Sequence, residues 1–249
     1  MSPLILLFLV GCLAGTLNVL AGGGSMLTLP VLIFLGLPAT VANGTNRVAI
    51  LVQNVGAVWG FSRHRLLPWR WAGFTVAPAI IGALLGSWLA TRMGDAVLEN
   101  IIAGIMLVVA IWTIWDPLGA KNPGEDASVP QGLLARSALA AAFLAIGMYG
   151  GFIQVGVGFL LLAATTWAGF DLVRGNALKV LVVLGFTVPA LITFARNDMV
   201  DWRLGTALAA GNLLGGLLGV RLSVLKGHVW IKRVVLVAVV VMALRLFLT

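Results

Sequence analysis

A chain of 249 residues that is 61% apolar and only 10% charged, with a mean hydropathy of +1.08, cannot cover a water-soluble surface; soluble domains carry about 25% charged residues. The net charge of +8 comes from 16 basic and 8 acidic residues. Most of the basic ones sit in short loops between apolar runs, a placement that fixes orientation against a cytoplasmic face and does not imply nucleic acid. One cysteine, Cys12, excludes an internal disulfide and a cysteine-based metal site.

Apolar runs long enough to cross about 30 Å of hydrocarbon recur from end to end. The first covers about 4–20. Its Leu9-Val10-Gly11-Cys12 looks like a lipoprotein cleavage box, but residues 1–11 hold no Lys or Arg, so a cysteine at a helix interface is expected. Gly22, Gly23, Gly24 and Ser25 open a short run, 25–37, that contains Pro30. As a helix it would be about 20 Å long, too short to span. Runs at about 40–61, 71–91 and 97–115 follow, with Asn43 and Arg47 in the first and the basic loop of Arg63, Arg65 and Arg70 after it. The one long polar stretch, 116–131, is a linker near the midpoint. Beyond it come runs at about 133–148, 153–169, 173–195, 203–222 and 229–248; the second carries Gln154, Gly156 and Gly158, the third Asn176 and Lys179.

Sliding the chain along itself until Gly23 meets Gly156 exposes a duplication. In that one register, without a gap, Gly36, Asn43, Arg63, Trp69, Arg70, Gly82 and Gly86 meet Gly169, Asn176, Arg196, Trp202, Arg203, Gly215 and Gly219. Apolar composition yields chance matches of Leu and Val, but not the Arg, Trp, Arg series. The expected units are therefore a first transmembrane repeat over 1–115, the linker 116–131 and a second repeat over 132–249. Gly82/Gly86 and Gly215/Gly219 form small-xxx-small faces suited to close helix crossing.

Loop charge sets the orientation. Arg63, Arg65 and Arg70 net +3, whereas Arg196 and Arg203 are balanced by Asp198 and Asp201. With the first loop cytoplasmic, five crossings per half place the second outside and return the basic 221–233 stretch to the cytoplasm. A re-entrant hairpin over 4–37 leaves three crossings per half and the same inversion, and only a single broken helix crossing once would overturn it. The expected fold is all-α: a polytopic transmembrane helical bundle of two homologous, inverted repeats with short helices broken by glycine. Such breaks at matching places in two halves point to a transporter's binding site.

Ala21-Gly22-Gly23-Gly24-Ser25 leading to Leu29-Pro30, then Gly36-Leu37-Pro38 and Asn43-Gly44-Thr45, resembles the sulfite exporter TauE/SafE family of bacterial permeases. Gly150-Gly151-Phe152 through Gly156-Val157-Gly158-Phe159-Leu160 is similar to the matching half of that family, so the resemblance covers essentially the whole chain. It implies a multi-pass protein of the bacterial inner membrane that moves sulfite, sulfoacetate, another organosulfonate or a related sulfur oxyanion without ATP hydrolysis. The second half departs from the pattern: Ala163 stands opposite Pro30, and Gly156 and Gly158 are isolated glycines.

Ionisable residues within hydrocarbon are expensive and are candidates for function. Arg47 and Lys179 each lie about two turns into a run, at adjacent positions under the repeat. Either they hold the oxygens of an anion or they snorkel toward headgroups. Backbone N–H groups following Gly22, Gly23, Gly24 and Ser25, and following Gly156 and Gly158, would form positive helix ends suited to an anion. Asn43, Asn176 and Gln154 could donate further hydrogen bonds; for the two asparagines, capping of their own helix starts is the alternative. Asn18 and Asn54 are weaker candidates.

No HxxxH, HExxH, carboxylate cluster or Walker loop is present, and no nucleophile has a histidine partner. No enzyme activity, metal or cofactor is expected. The expected partners are a small anionic substrate and the lipid bilayer, with no nucleic acid; association into a homo-oligomer is left open. A carrier of another small anion, such as a carboxylate, is the competing reading. An anchor or assembly subunit is a third, although the chain lacks large soluble loops for docking.

Overall fold

A computed structural model describes the backbone of residues 2–114 and 132–248, with side chains except those of 106–107, 109–114 and 226–248. The expected linker 116–131 lies outside the described residues, as do the side chains of Lys226, His228, Lys232, Arg233 and Arg245. The described elements are helices: α1 (Pro3–Leu20), α2 (Ser25–Phe34), α3 (Ala39–Arg63), α4 (Trp69–Ala90), α5 (Asp95–Ile114), α6 (Leu133–Phe152), α7 (Val157–Trp167), α8 (Leu172–Arg196) and α9 (Trp202–Leu248).

Local chemistry explains several boundaries. Pro3 occupies the first turn of α1, where a missing N–H costs nothing. Asp171 accepts the N–H groups of Val173 (2.8 Å) and Arg174 (3.0 Å) at the start of α8. Asp201 accepts the Leu204 N–H (2.9 Å) at the start of α9. Helix α3 is capped from a distance: Asp95 of α5 accepts the Thr40 N–H (3.0 Å) and hydroxyl (2.6 Å). Beyond α2 and α7, Gly36 and Gly169 both turn the chain at φ 93°, a left-handed conformation that glycine adopts without strain.

The expected break between 203–222 and 229–248 does not occur in the backbone, since α9 continues from Trp202 to Leu248. Gly227 is the sole breaker there, and one glycine weakens a helix by about 1 kcal/mol without ending it. The basic 221–233 stretch is therefore helical, not a loop.

Polarity is turned inside out. Trp59, Leu85, Trp88, Leu214 and Leu218 are about half exposed, whereas Asn43, Asn46, Arg47, Gln53, Asn54, Asn176 and Lys179 are buried. Hydrocarbon favours such an exterior, and the tryptophans near helix ends suit the bilayer interface. Helices α1, α4, α6 and α8, and Trp202–Leu225 of α9, are long and apolar enough to cross a membrane. Helices α2 and α7, at 10 and 11 residues, are not.

The most extensive packing joins α1 to α9 and α4 to α6, followed by α3 with α9 and α4 with α8. Gly82 and Gly86 press against the Leu144 and Met148 carbonyls of α6, and Gly215 against the Cys12 carbonyl of α1. A Cβ at any of the three would overlap backbone, so the glycine pairs serve close helix crossing, and Cys12 lies at a helix interface. Helices α3 and α8 carry the polar interior.

Candidate functional site

Helix α1 ends at Leu20 before α2 starts at Ser25, and α6 ends at Phe152 before α7 starts at Val157. The link after α1 meets the first turn of α7 in the interior, where the backbone of Gly22 lies against that of Gly158 so closely that a Cβ on either would overlap the other. Gly23 faces the Phe159 ring, Gly24 rests on the Ala14 carbonyl, and Gly156 precedes α7 at φ 70°.

A helix that stops in a nonpolar interior leaves its last carbonyls without donors and presents the negative end of its dipole. Buried cations meet both requirements here. Arg47 of α3 reaches the end of α6, donating from Nη1 to the Gly150 carbonyl (3.1 Å) and from Nη2 to the Gly151 carbonyl (2.6 Å). Asn43, one turn earlier, donates to the Phe152 carbonyl (2.8 Å). The Arg47 guanidinium also lies 4.6 Å from the centre of the Phe194 ring, within cation–π range. Lys179 of α8 does the same for α1, with Nζ donating to the carbonyls of Asn18 (2.9 Å) and Val19 (2.8 Å) and to Asn176 Oδ1 (2.6 Å). Asn176 Nδ2 donates to the Leu20 carbonyl (3.4 Å).

Beside this crossing lies a narrow cavity of about 10 Å³, bounded by Asn18, Ser25, Asn54, Gln154, Gly158 and Lys179 together with Ile50, Val157 and Val183. Its polar wall is tied to a wider network. Asn18 Nδ2 donates to Gln53 Oε1 (3.1 Å), Asn46 Nδ2 to Ser25 Oγ (3.2 Å), the Thr28 hydroxyl to Asn46 Oδ1 (2.6 Å), and Gln154 Nε2 to Thr187 Oγ1 (2.6 Å). Gln154 Oε1 and Arg47 Nε are buried without a hydrogen-bond partner. No carboxylate lines the cavity.

Of the residues expected from sequence, Ser25, Gln154, Gly158 and Lys179 are brought together around this cavity, joined by Asn18 and Asn54, which the sequence ranks lower. Gly22, Gly23, Gly24 and Gly156 belong to the links, and Asn43, Arg47 and Asn176 to the helix ends; none of these seven lines the cavity. Neither buried cation snorkels: Arg47 is 0% and Lys179 2% exposed. Asn43 and Asn176 do not cap their own helices, a task left to Asp95 and Asp171. Sequence reasoning missed Thr187 and Asn46. A usable signal exists for both, because the repeat register sets Asn54 against Thr187 and Asn46 against Lys179, polar against polar within apolar runs.

A helical bundle with an apolar exterior, short broken helices and buried cations on its inner face defines a multi-pass membrane protein. The chain belongs to the sulfite exporter TauE/SafE family, whose family model matches residues 7–246. It is 28% identical over 235 residues to a probable membrane transporter protein of Haemophilus influenzae, covering 94% of this chain and 90% of the relative. Similarity to the probable membrane transporter protein YfcA of Escherichia coli K12 is also 28% over 250 residues, covering 98% and 90%. A probable membrane transporter protein, ORF9, from a Sinorhizobium species is 27% identical over 244 residues, covering 98% and 92%. No solved structure matches. The protein is a membrane transporter and not an enzyme.

Proposed function

We infer that the protein is a secondary transporter or facilitator that carries a small sulfur-containing oxyanion, such as sulfite, sulfoacetate or another organosulfonate, across the bacterial inner membrane. The family's description as a sulfite exporter supports the substrate class. The observation that carries the anion reading is Lys179, an ammonium buried beside a polar cavity that no carboxylate lines. Ser25, Gln154, Gly158 and Lys179, with Asn18 and Asn54, form the binding surface. Gly22, Gly23, Gly24, Gly156, Asn43, Arg47 and Asn176 hold the two broken helices around it. The test is uptake into proteoliposomes holding the purified chain, using labelled sulfite or sulfoacetate with competing anions. Saturable sulfonate flux is expected; competition by acetate alone would move the substrate class to carboxylates, and no flux of any anion would end the reading.

The site lies between two inverted repeats. Helices α3 and α8 start at Ala39 and Leu172, positions matched by the repeat register, and both are 25 residues long. Helices α4 and α9 start at the matched pair Trp69 and Trp202. Packing is exchanged between the halves, α1 against α9 and α6 against α4. Each half also supplies the cation that caps the other's broken helix. Single cysteines at the exposed positions Ser62 and Asn197, in a Cys12→Ser background, are expected to label from opposite sides, Ser62 from the cytoplasm. Labelling of both from one side would refute inversion.

Proton coupling through the protein is not expected. Among the described residues, Asp95, Asp171 and Asp201 cap helix starts, Glu99 is exposed on α5, and Asp198 lies in the exposed α8–α9 turn. Proton-driven carriers commonly use acids or histidines within the membrane. Flux of a fully ionised sulfonate in sodium-free liposomes should therefore vary little between about pH 6 and 8, where carboxylates and sulfonates keep their charge. Steep accumulation driven by a proton gradient, abolished by neutralising one of these acids, would contradict this.

A further inference from the structure

We propose that a groove on the outer face of the bundle, between α3 and α9, seats one phospholipid with an anionic headgroup, its acyl chain along the groove and its phosphate on Arg63 and Arg221. This goes beyond the transport reading and is independent of the substrate carried. The groove, of about 410 Å³, is apolar, with Leu51, Val55, Gly56, Trp59, Leu213 and Leu217 in its walls. Gly56 keeps it open, since a Cβ there would run into the Leu213 side chain. Val55 and Trp59 are more than half exposed, on the face of α3 opposite Ile50 and Asn54, which border the interior cavity. The two helices run in the same direction here, with Gly205 against Val48, Gly216 against Gln53 and Gly60 against Val220. Arg63 and Arg221 follow Trp59 and Leu217 by one turn each, so both stand at the same end of the groove. Both are exposed, and the Arg63 guanidinium lies over the Trp59 ring, 5.0 Å from its centre. Leu51 to Arg63 covers about 18 Å of helix, slightly more than the roughly 15 Å of hydrocarbon in one leaflet. An acyl chain beside Leu51 therefore carries its phosphate to the arginines.

Charge selects the headgroup. No acidic residue occurs in 1–94 or 202–249, so no carboxylate from α3, α4, α9 or the 64–68 turn offsets the arginines. Asp95 and Asp201 lie at the other end, at the starts of α3 and α9. Arginine forks two phosphate oxygens, and basic pockets between membrane helices take anionic headgroups. A second copy of the chain fits the groove less well. Seated about a two-fold axis along the membrane normal, it would bring Arg63 and Arg221 of both copies to one end, like charge against like. The repeat supplies an internal contrast. Its register sets Gly56, Trp59 and Arg221 against Pro189, Ile192 and Trp88, and the turn after α8 carries Asp198 and Asp201. The matching seam between α8 and α4 thus lacks the glycine, the stacked tryptophan and the second arginine.

The test titrates phosphatidylglycerol and phosphatidylcholine with the same acyl chains, in mixed micelles, into the delipidated full-length chain. Native mass spectrometry counts the bound lipids, and the rise in Tm follows their binding. One phosphatidylglycerol per chain is expected to bind at least about tenfold more tightly than phosphatidylcholine. Replacing both arginines, Arg63→Gln with Arg221→Gln, should remove that preference. Val55→Trp, which fills the groove and keeps both arginines, should weaken phosphatidylglycerol by at least about tenfold. Arg203→Gln, at an exposed arginine of the other end of α9, removes a charge outside the site and should change the affinity by less than about threefold. Glycerol phosphate alone should leave Tm unchanged. Equal binding of phosphatidylcholine, full affinity in Val55→Trp, an equal loss in Arg203→Gln, or a response to glycerol phosphate alone would overturn the proposal. So would a dimer in lipid-free detergent that Val55→Trp splits, which would give the groove to a second copy. Each of these outcomes leaves anion flux by the wild-type protein untouched.

Discussion

Alanine at Gly22 is expected to lower the stability of the protein sharply, and alanine at Gly158 to lower it by less. A Cβ at Gly22 would overlap backbone of the first turn of α7, and a Cβ at Gly158 would overlap the backbone of Gly22. A flexible side chain can swing aside, but backbone held within and beside helices cannot, so the link after α1 and the start of α7 must separate and the packing around them must open. Overpacking in a closed interior costs about 1–3 kcal/mol. At Gly22 the φ of 92° adds backbone strain of about 1–3 kcal/mol for any residue with a Cβ. At Gly22 the two sum to about 2–6 kcal/mol, which reaches the lower end of the stability of many domains, about 5–15 kcal/mol. Gly22→Ala should thus be the more damaging of the two. Gly73→Ala on α4 is the control, because nothing lies within 4 Å of a Cβ there and alanine favours the helix by about 1 kcal/mol. Monodispersity in detergent and Tm are the measurements. A Gly22→Ala protein that stays monodisperse and melts within a few degrees of wild type would show that Gly22 and the start of α7 do not touch as described.

Much of this architecture is written locally. Apolar runs separated by Pro, Gly and Asp fix where helices start and stop, which is why the expected run 173–195 differs from α8 (Leu172–Arg196) by one residue at each end. The duplication is legible because Arg63, Trp69 and Arg70 recur in the second half as Arg196, Trp202 and Arg203, with their spacing kept. Arg47 and Lys179 stand out because charge in an apolar run has few tolerable fates. What they touch is another matter. The carbonyls of α6 that Arg47 holds lie 103 and 104 residues away, and the carbonyls of α1 that Lys179 holds lie 160 and 161 residues away. Pairings that distant arise from the packing of whole helices, and no local spacing encodes them. Both cations accordingly look alike in the sequence, and only the assembled bundle separates the one beside the cavity from the one behind it. The same limit applies to Gln154: the sequence marks it as a candidate donor, but its contact with Thr187 and its unpartnered Oε1 depend on how α8 packs.

Arg47→Met should cost the protein more stability than any other side-chain replacement of similar volume in α3. Methionine is about as long and packs well in apolar surroundings, so the change isolates the loss of donors and charge. Removing the guanidinium strips the Gly150 and Gly151 carbonyls of the hydrogen bonds that Arg47 supplies, at a fully buried position. The Phe152 carbonyl keeps its bond from Asn43. Leaving a buried acceptor unpaired costs about 1–3 kcal/mol, so two amount to about 2–6 kcal/mol. Loss of positive charge at the negative end of α6 acts in the same direction. Arg47→Lys should recover part of the deficit, because Lys179 already holds the end of α1 with a single ammonium and three acceptors. Arg47 Nη2 also reaches the Phe152 carbonyl (3.4 Å), so adding Asn43→Ala to Arg47→Met takes away the remaining side-chain donor to it, and the two changes should cost more together than the sum of each alone. Thermal and denaturant unfolding of the purified variants in one detergent would measure this. Arg47→Met unfolding like wild type, or Arg47→Lys faring no better than Arg47→Met, would mean that the end of α6 finds its donors elsewhere and that Arg47 is kept for another purpose.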